Sequence, residues 1–341
     1  MSTGLIYPPG SFAGTEELIE LARELPAYGA IYATHMRNEG PELIPAVKET
    51  LRIGRESGAS VEISHHKETR RAFWHTAVHE SVRLMKEARA AGQEVWFDQY
   101  PYSASASSLD SNIPDWGFAG GRDQLFARLR DPKTRAKLRE ESNANHVGRW
   151  HEIYVSYAAG RQEYEGKNII EIAEALGKDP ADACFDIVLE TNGAAGEVNY
   201  GMCEDDIEYI MSQDFGMVCS DGEAKGLDFP GIPHPRNYGT FPRVIAHYCR
   251  ERGLFPLETA IRKMTGLPAD RLGLKDRGYI REGMAADLVL FDFDRIESDP
   301  SYKEPRKACS GIRRVYVNGI LTAKDGVHTG VKAGQVLRHQ G

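Results

Sequence analysis

The sequence predicts an α/β protein built from parallel βαβ units. Apolar runs of strand length alternate with segments of helical periodicity, the links between them are short, and the alternation resumes after one long interruption. We predict strands at 29–35, 60–65, 94–98 and 215–221, and helices at 15–25, 41–57, 73–91 and 204–213. Further helices are predicted near 240–252, 256–265 and 267–273.

The ends of the first helices carry clear signals. Thr15 is a suitable N-cap, and Glu16 and Glu17 place negative charge in the first turn, where the helix dipole favours it. Pro26 ends the first helix and Gly58 ends the second. These signals support the same alternation of helices and strands.

The pattern also divides the chain into four regions. They are βα units, a polar helix-rich insertion, the remaining βα units and a β-rich final part, at 1–102, 103–203, 204–280 and 281–341. In the final part, Asn318-Gly319 lies between two apolar runs, which predicts a hairpin.

Composition excludes several functional classes. Lys and Arg total 42 and Asp and Glu total 50, a net charge of −8 that disfavours a nucleic-acid-binding surface. No apolar run reaches the roughly 18 residues of a membrane span. The five cysteines are scattered without a Cys-x-x-Cys pair, which predicts reduced thiols and a cytoplasmic protein.

Three side chains that could bind a metal ion lie at the ends of predicted strands. His35 and His65 end strands that lie 30 residues apart, and Asp221 ends a third. Because the carboxyl ends of parallel strands meet at one edge of a sheet, two imidazoles and a carboxylate there predict a metal site. His66 competes with His65, since adjacent strand residues face opposite sides, and periodicity alone does not choose between them.

Three other patterns are weaker. His75 and His79 have the i, i+4 spacing of a helical zinc pair but lack the Glu of His-Glu-x-x-His, so we interpret them as a solvated helix face. Ser64 and Lys67 match Ser-x-x-Lys, but no Lys-Thr-Gly strand accompanies them. The segment 160–167 resembles a phosphate-binding loop with one residue too many between its glycines.

Several motifs in combination resemble the N-acyl-D-amino-acid deacylase (D-aminoacylase) family of the amidohydrolase superfamily. They are STGLIYPP (2–9), ATHMRNE (33–39), ISHHK (63–67), DQYPY (98–102), SDG (220–222) and HPRNYGTFPR (234–243). Two later segments resemble the superfamily more broadly, at 263–278 and 283–292. The resemblance covers nearly the whole chain outside the insertion.

The resemblance implies a catalytic metal centre. His35 and His65 match the family's metal-binding histidines, and Asp221 matches the aspartate that binds metal and acts as general base. The implied ion is Zn²⁺, and the implied enzyme is a zinc-dependent amidohydrolase acting on linear amides.

The resemblance also implies a substrate site. Lys67, Tyr100 and the stretch 103–108 match a region that meets substrate, and the insertion matches a mobile segment that covers the site. Arg236 or Arg243 is expected to pair with a substrate carboxylate, because a guanidinium fork suits that group. The implied partner is a small N-acyl amino acid.

The resembled proteins are longer, and their barrel begins with a His-x-His strand that this sequence lacks. The resemblance therefore implies a partial (βα)8 TIM-type barrel, with strands like the fifth to eighth and part of a small C-terminal β-sandwich. We expect the strands ending at His35 and Asp221 to form its open edges. An isolated chain should then form homo-oligomers, bind a complementing N-terminal half, or be marginally stable, and should bind metal weakly.

Three functions follow from these patterns. The first is hydrolysis of the amide bond of N-acyl-D-amino acids. The second is a catalytically incompetent remnant or one half of a two-chain amidohydrolase. The third is a cyclic amidase of the hydantoinase or dihydroorotase type. The sequence THMRNE at 34–39 argues against this third function.

Overall fold

The computed structural model describes residues 1–338. Its strands are β1 (Ser2–Gly4), β2 (Ile31–His35), β3 (Ser60–Ile63), β4 (Val95–Gln99), β5 (Ser105–Ser108), β6 (Ile153–Ala158), β7 (Ala195–Asn199), β8 (Gly216–Val218), β9 (Leu288–Phe291), β10 (Ile312–Val317), β11 (Ile320–Lys324) and β12 (Val327–His328). Its α-helices are α1 (Thr15–Ala22), α2 (Leu43–Ser57), α3 (Ala77–Ala90), α4 (Arg122–Arg130), α5 (Pro132–Asn145), α6 (Ile169–Leu176), α7 (Pro180–Glu190), α8 (Glu204–Met211), α9 (Arg236–Arg243), α10 (Leu257–Met264) and α11 (Gly266–Arg271). A π-helix, Val244–Glu251, continues from α9.

The main sheet has five parallel strands in the order β1-β2-β3-β4-β8, so the predicted α/β class is confirmed. Among the described residues this sheet is open, with β1 and β8 at its edges. The expectation that the strand ending at His35 forms an edge is wrong. Ser2–Gly4 pair in register with Ala33, Thr34 and His35, and so cover that strand.

One apolar core joins this sheet to the helices α1, α2 and α3. Val61 and Val95 of the sheet are fully buried in the same cluster as Leu18, Val47 and Val78 of the three helices. Each such side chain contributes roughly 1.5–3 kcal/mol by leaving water. This core fixes the sheet and thereby the positions of the strand ends.

Two helix starts differ from the predictions. Gly14, not Thr15, is the N-cap of α1, and the Thr15 hydroxyl instead donates to Glu49 Oε1 of α2 at 2.7 Å. The predicted helix at 73–91 begins only at Ala77, because His75 has a left-handed backbone (φ 62°) that no α-helix accepts.

The insertion contains a second sheet. Its strands β5, β7 and β6 are antiparallel in that order, and they pack with α4–α7 around a separate core that includes Leu109, Val155 and Phe185. Sequence analysis anticipated the helices but not these strands. The strand β5 reads SASS and β7 reads AGEVN, so neither has the run of β-branched residues that marks a strand.

The last sheet is antiparallel, in the order β12-β11-β10-β9. The hairpin predicted at Asn318-Gly319 joins β10 to β11, and both turn residues have positive φ (50° and 78°), as a tight two-residue turn requires. On β9, Val289 and Leu290 are more than half exposed. No helix within residues 1–338 combines the length and hydropathy that a membrane span needs.

Candidate active site

A cavity of about 360 Å³ lies at the carboxyl ends of the parallel strands, where the sheet meets the insertion. The strand side of this cavity is lined by Tyr7, His35, Glu39, His65, Lys67, Tyr100, Asp221 and Arg236. Sequence analysis assigned six of these eight residues to metal or substrate, all except Tyr7 and Glu39. The insertion lines the opposite side.

The two strand-end histidines meet in this cavity. Their ring centroids are 4.3 Å apart, with the ring planes at 71°. The His35 Nε2 atom is buried and has no hydrogen-bond partner, and the ring of Tyr7 contacts the same imidazole edge-on at 4.9 Å. An unpartnered buried imidazole nitrogen offers a lone pair to a ligand.

A third donor, Glu39, joins the two histidines. Glu39 Oε1 lies 2.9 Å from His65 Nδ1, and Oε2 lies 3.4 Å from His35 Nε2. One ligand atom from each of these three side chains falls within 4.8 Å of the others. Sequence analysis assigned Glu39 no role. The available signal was an acidic residue in the short loop that follows the strand-end His35.

Lys67 lines the cavity and contacts the other members of this cluster. Its ammonium donates to Glu39 Oε1 at 2.6 Å and to the His65 carbonyl at 2.7 Å, and lies 2.7 Å from His65 Nδ1. The side chain is 3% exposed, and its Nζ lies 5.5 Å from the centre of the Tyr100 ring. The Glu39 carboxylate and the His65 carbonyl use two of the three protons of the ammonium.

The charges of the cluster suit metal ligation. Burial lowers the pKa of His35 to about 3, so its imidazole is neutral at physiological pH. Burial alone would raise the pKa of Glu39, but His35, Lys67 and His65 outweigh it and hold that pKa well below the usual range. With His35 neutral, the Lys67 ammonium, 2.6 Å from Oε1, is the nearest cation to Glu39. The cluster therefore presents a neutral imidazole and an ionised carboxylate.

The backbone conformation places the side chain of His65, and not that of His66, in the cavity. His65 has a left-handed backbone (φ 41°), and its N–H donates to Asp98 Oδ1 at 2.7 Å. This turn sends the His65 ring into the cavity. His66 is fully buried on the other side, with Nε2 2.8 Å from Ser81 Oγ of α3.

Asp221 and Arg236 form a second pair in the same cavity. The Arg236 Nη1 lies 2.8 Å from Asp221 Oδ2 without hydrogen-bond alignment, and Nη2 donates to the Ala106 carbonyl. The guanidinium also stacks 4.8 Å above the centre of the buried Tyr100 ring. Asp221 is not one of the three residues whose donor atoms cluster within 4.8 Å.

Of the two arginines named from the sequence, only Arg236 lines this cavity. Arg243 does not line the cavity. Its Nε donates to the Pro101 carbonyl at 2.6 Å, and its guanidinium lies over the ring of Tyr102. Those contacts explain Arg243 as a residue that supports the loop after β4.

The insertion supplies polar side chains that sequence analysis did not single out. They are Ser111, Asn112, His146, Arg149, Glu197 and Asn199. Burial raises the pKa of Glu197 to about 7, although Asn112 and Ser111 donate hydrogen bonds to it. These residues lie more than 20 positions along the chain from the nearest of His35, His65 and Asp221, and no local sequence pattern marks them.

The residues fit a metal ion on the strength of their donor set. Two imidazoles and one carboxylate are a ligand set that Zn²⁺ accepts in hydrolytic enzymes. The buried His35 Nε2 without a partner and the ionised Glu39 beside it are the observations that support the fit.

Comparisons with known proteins show what this chain is similar to. A model of the amidohydrolase family matches residues 228–336. The chain is 38% identical over 337 residues to a D-aminoacylase of Alcaligenes xylosoxydans xylosoxydans, covering 99% of this chain and 60% of that protein. It is 36% identical to an N-acyl-D-aspartate deacylase of the same organism, covering 99% and 59%.

Solved structures give the same relationship. A crystal structure of D-aminoacylase matches with a TM-score of 0.79 and 37% identity, covering 98% of this chain and 61% of that one. An N-acyl-D-glutamate deacylase of Bordetella bronchiseptica, complexed with zinc and a phosphonate inhibitor, matches with a TM-score of 0.80 and 32% identity, covering 99% and 62%. The chain spans about 60% of the length of these relatives. It has an amidohydrolase-type α/β fold and is homologous, over nearly its whole length, to the D-aminoacylases and N-acyl-D-amino-acid deacylases.

Proposed function

We propose that this protein is a metal-dependent hydrolase that cleaves the amide bond of N-acyl-D-amino acids. The observation that carries the proposal is the cluster of His35, Glu39 and His65 beside the pair of Asp221 and Arg236 in one cavity. Relatives at 36–38% identity bear the names D-aminoacylase and N-acyl-D-aspartate deacylase, which supports the substrate class.

The metal would be held by His35, His65 and Glu39, and Zn²⁺ is the ion we propose. A zinc ion in such a site supplies a Lewis acid, which polarises an amide carbonyl and makes water a stronger nucleophile at neutral pH. Lys67 keeps Glu39 ionised through its 2.6 Å contact. Asp98 orients His65 by accepting its backbone N–H. Together these two residues hold the ligands in place before any ion binds.

Asp221 is the residue we propose for proton transfer. Its carboxylate is about one-third exposed at the cavity wall and is not needed to complete the three-donor cluster. It would accept the proton of the attacking water and return that proton to the nitrogen of the leaving amine. Asp221 was also expected from the resemblance to bind metal, and we keep that second role as part of the proposal.

Arg236 is the residue we propose for the substrate carboxylate. Its guanidinium is held by the face of Tyr100 and by the Ala106 carbonyl, which fixes its direction toward the cavity. A substrate carboxylate would compete with Asp221 for the same guanidinium, since both are anions within reach of Nη1. Substrate binding would thereby release the Asp221 carboxylate for proton transfer.

The test is an assay of a panel of N-acetyl-D-amino acids with zinc-supplemented protein, with the N-acetyl-L-amino acids as controls. Activity on D-substrates that is lost in His35→Ala and in Asp221→Asn supports the proposal. Metal binding without hydrolysis of any panel member would overturn it and favour a catalytically incompetent homologue.

We propose two further features of architecture. The five parallel strands correspond to part of a (βα)8 barrel, supported by the placement of every proposed catalytic group at the carboxyl ends of the strands. The regions 1–102 and 204–280 would form this barrel part, 103–203 the cover of the site, and 281–341 part of a β-sandwich. The separate core of the insertion supports that division.

We also propose that a second polypeptide, another copy or a complementing chain, packs against this chain. The support is that β1 and β8 have unpaired edges within residues 1–338. Val289 and Leu290, on β9 of the C-terminal sheet, are exposed apolar residues that a second chain could also cover. Light scattering across a dilution series tests this, and a compact monomer at all concentrations would contradict it.

We propose a reducing, cytoplasmic compartment for this protein, as expected from the sequence. The support is that the five cysteines are scattered and unpaired among the described residues.

A further inference from the structure

A second group of possible metal donors lies outside the proposed active site. One ligand atom from each of His75, Cys203 and Asp206 falls within 4.8 Å of the others. None of the three lines the active-site cavity. Together they offer an imidazole, a thiol and a carboxylate.

The chain brings these residues together across 128 positions by specific contacts. The His75 N–H donates to Asp206 Oδ1 at 2.9 Å, and the neighbouring Trp74 Nε1 donates to the Gly201 carbonyl at 3.2 Å. His75 holds a left-handed backbone, φ 62°, which costs free energy in a non-glycine residue. Cys203 is the N-cap of α8, and Asp206 lies in the first turn of that helix. The fold therefore fixes the backbone positions of the three residues.

Asp206 supplies the observation that points to a ligand. It is 3% exposed, and its Oδ2 atom is buried with no hydrogen-bond partner. A buried carboxylate oxygen without a partner costs about 1–3 kcal/mol or more. The first turn of α8 and the His75 N–H account for the negative charge and for Oδ1. The Cys203 thiol contacts the same carboxylate, and Oδ2 has no aligned hydrogen-bond donor.

Glu68 is a second buried carboxyl group, and it interacts electrostatically with Asp206. Its Oε1 accepts the Arg70 N–H, while its Oε2 is also buried without a partner. Burial, with the charges of Asp206 and Glu39 beside it, raises the pKa of Glu68 to about 8. Two buried carboxyl groups near one another, each with an orphaned oxygen, are an environment that a cation would stabilise.

We propose that His75, Cys203 and Asp206 form a second metal site, which takes a divalent ion of zinc type. Nitrogen, sulfur and oxygen donors in one site select borderline ions such as Zn²⁺ over the hard ions Mg²⁺ and Ca²⁺. The His75 side chain is 57% exposed, so an ion can reach the site from solvent. Cys203 would bind as thiolate and release its proton to solvent on binding. The bound ion would tie the turn before α3 to the start of α8.

Cobalt is the probe that separates this site from the proposed active site. The active-site cluster contains no sulfur ligand, whereas Co²⁺ bound by Cys203 gives a thiolate-to-cobalt charge-transfer band in the near ultraviolet. Metal-free full-length protein is titrated with Co²⁺ and then with Zn²⁺. We expect a saturable band that Zn²⁺ abolishes, and that band should persist in His35→Ala.

The variants are chosen to keep the fold. Cys203→Ser places a favoured N-cap residue at the start of α8, and His75→Asn places a residue that tolerates positive φ in the turn. Both variants should abolish the band. Asp206→Asn should weaken Zn²⁺ binding at this site by at least about 100-fold, which is more than expected from losing a residue that only hydrogen-bonds to a ligand. Cys309→Ser is the matched control, because this thiol contacts the Tyr238 carbonyl far along the chain and should leave the band intact.

Two results would overturn the proposal. One is the absence of any saturable thiolate band in protein whose circular dichroism shows it folded. The other is a band that survives in Cys203→Ser, which would place the thiolate elsewhere. The first result would show that the cluster serves only to join α3 and α8.

Discussion

Replacing Glu39 with glutamine in the metal-free protein should cost a large part of its stability. Glu39 and Lys67 are 5% and 3% exposed, and their charged atoms are 2.6 Å apart. At that distance the attraction is roughly 6 kcal/mol at an effective dielectric constant of about 20. Much of it offsets the cost of removing both charges from water. Glu39→Gln leaves Lys67 charged, buried and unpaired, so the free energy of unfolding should fall by about 3–5 kcal/mol.

The assay is chemical denaturation followed by circular dichroism, with a double-mutant cycle. Lys67→Met should destabilise by a similar amount, because it leaves Glu39 as the unpaired charge. The double variant has neither charge, so its loss should fall short of the sum of the single losses by about 2 kcal/mol or more. Glu56→Gln is the matched control: it breaks the exposed ion pair with Arg52 and should change stability little.

The reasoning would be refuted by additive losses in this cycle. Additivity would mean that the 2.6 Å contact does not couple the two residues in solution. A loss for Glu39→Gln as small as that of Glu56→Gln would refute it as well, since the burial of the pair would then have no energetic consequence.

Three further outcomes are expected. Asp221→Asn should lower kcat by about 10²–10⁴-fold and should weaken metal binding, measured by isothermal titration, less than His35→Ala does; an unchanged kcat in zinc-saturated protein would contradict the proton-transfer role. Arg236→Lys should raise KM for the N-acyl amino acid by about 10–100-fold, and an unchanged KM would assign the carboxylate to another residue. Glu197→Gln should remove a pH dependence of stability. Because the folded protein keeps the Glu197 proton up to a pKa of about 7 while the unfolded chain loses it near an ordinary carboxyl pKa, stability falls as pH rises through that window. The variant should gain about 3 kcal/mol over the parent at pH 8 and nothing at pH 4; equal curves in denaturation at both pH values would contradict this.

The sequence predicted the elements whose signals are local. Helical periodicity with Gly58 as a stop placed the end of α2 at Ser57, and apolar runs placed β2 to β4 within a few residues. The turn at Asn318-Gly319 was found because its residue types are required by positive φ. Each of these depends on residues that are close together in the chain.

The rest depends on contacts that no local pattern records. Glu39 meets His65 only because two parallel strands end side by side, and the loop after β2 folds over them. Two strands of the insertion, β5 and β7, consist mostly of small and polar residues, so their pairing is set by tertiary packing. The spacing of His75 and His79 suggested a helical pair, but His79 stacks on Tyr209 while His75 turns toward Cys203.

The insertion, which we propose covers the site, has a hydrophobic interior of its own, centred on residues such as Leu109, Val155 and Phe185. That interior is separate from the side chains that the insertion turns toward the cavity, such as Arg149 and Asn199. Under the proposed function, substitutions at those two positions should change which amino-acid side chain is admitted, while the ligands on the sheet and the core of the insertion stay in place. A change of preferred substrate would then require changes in this wall alone.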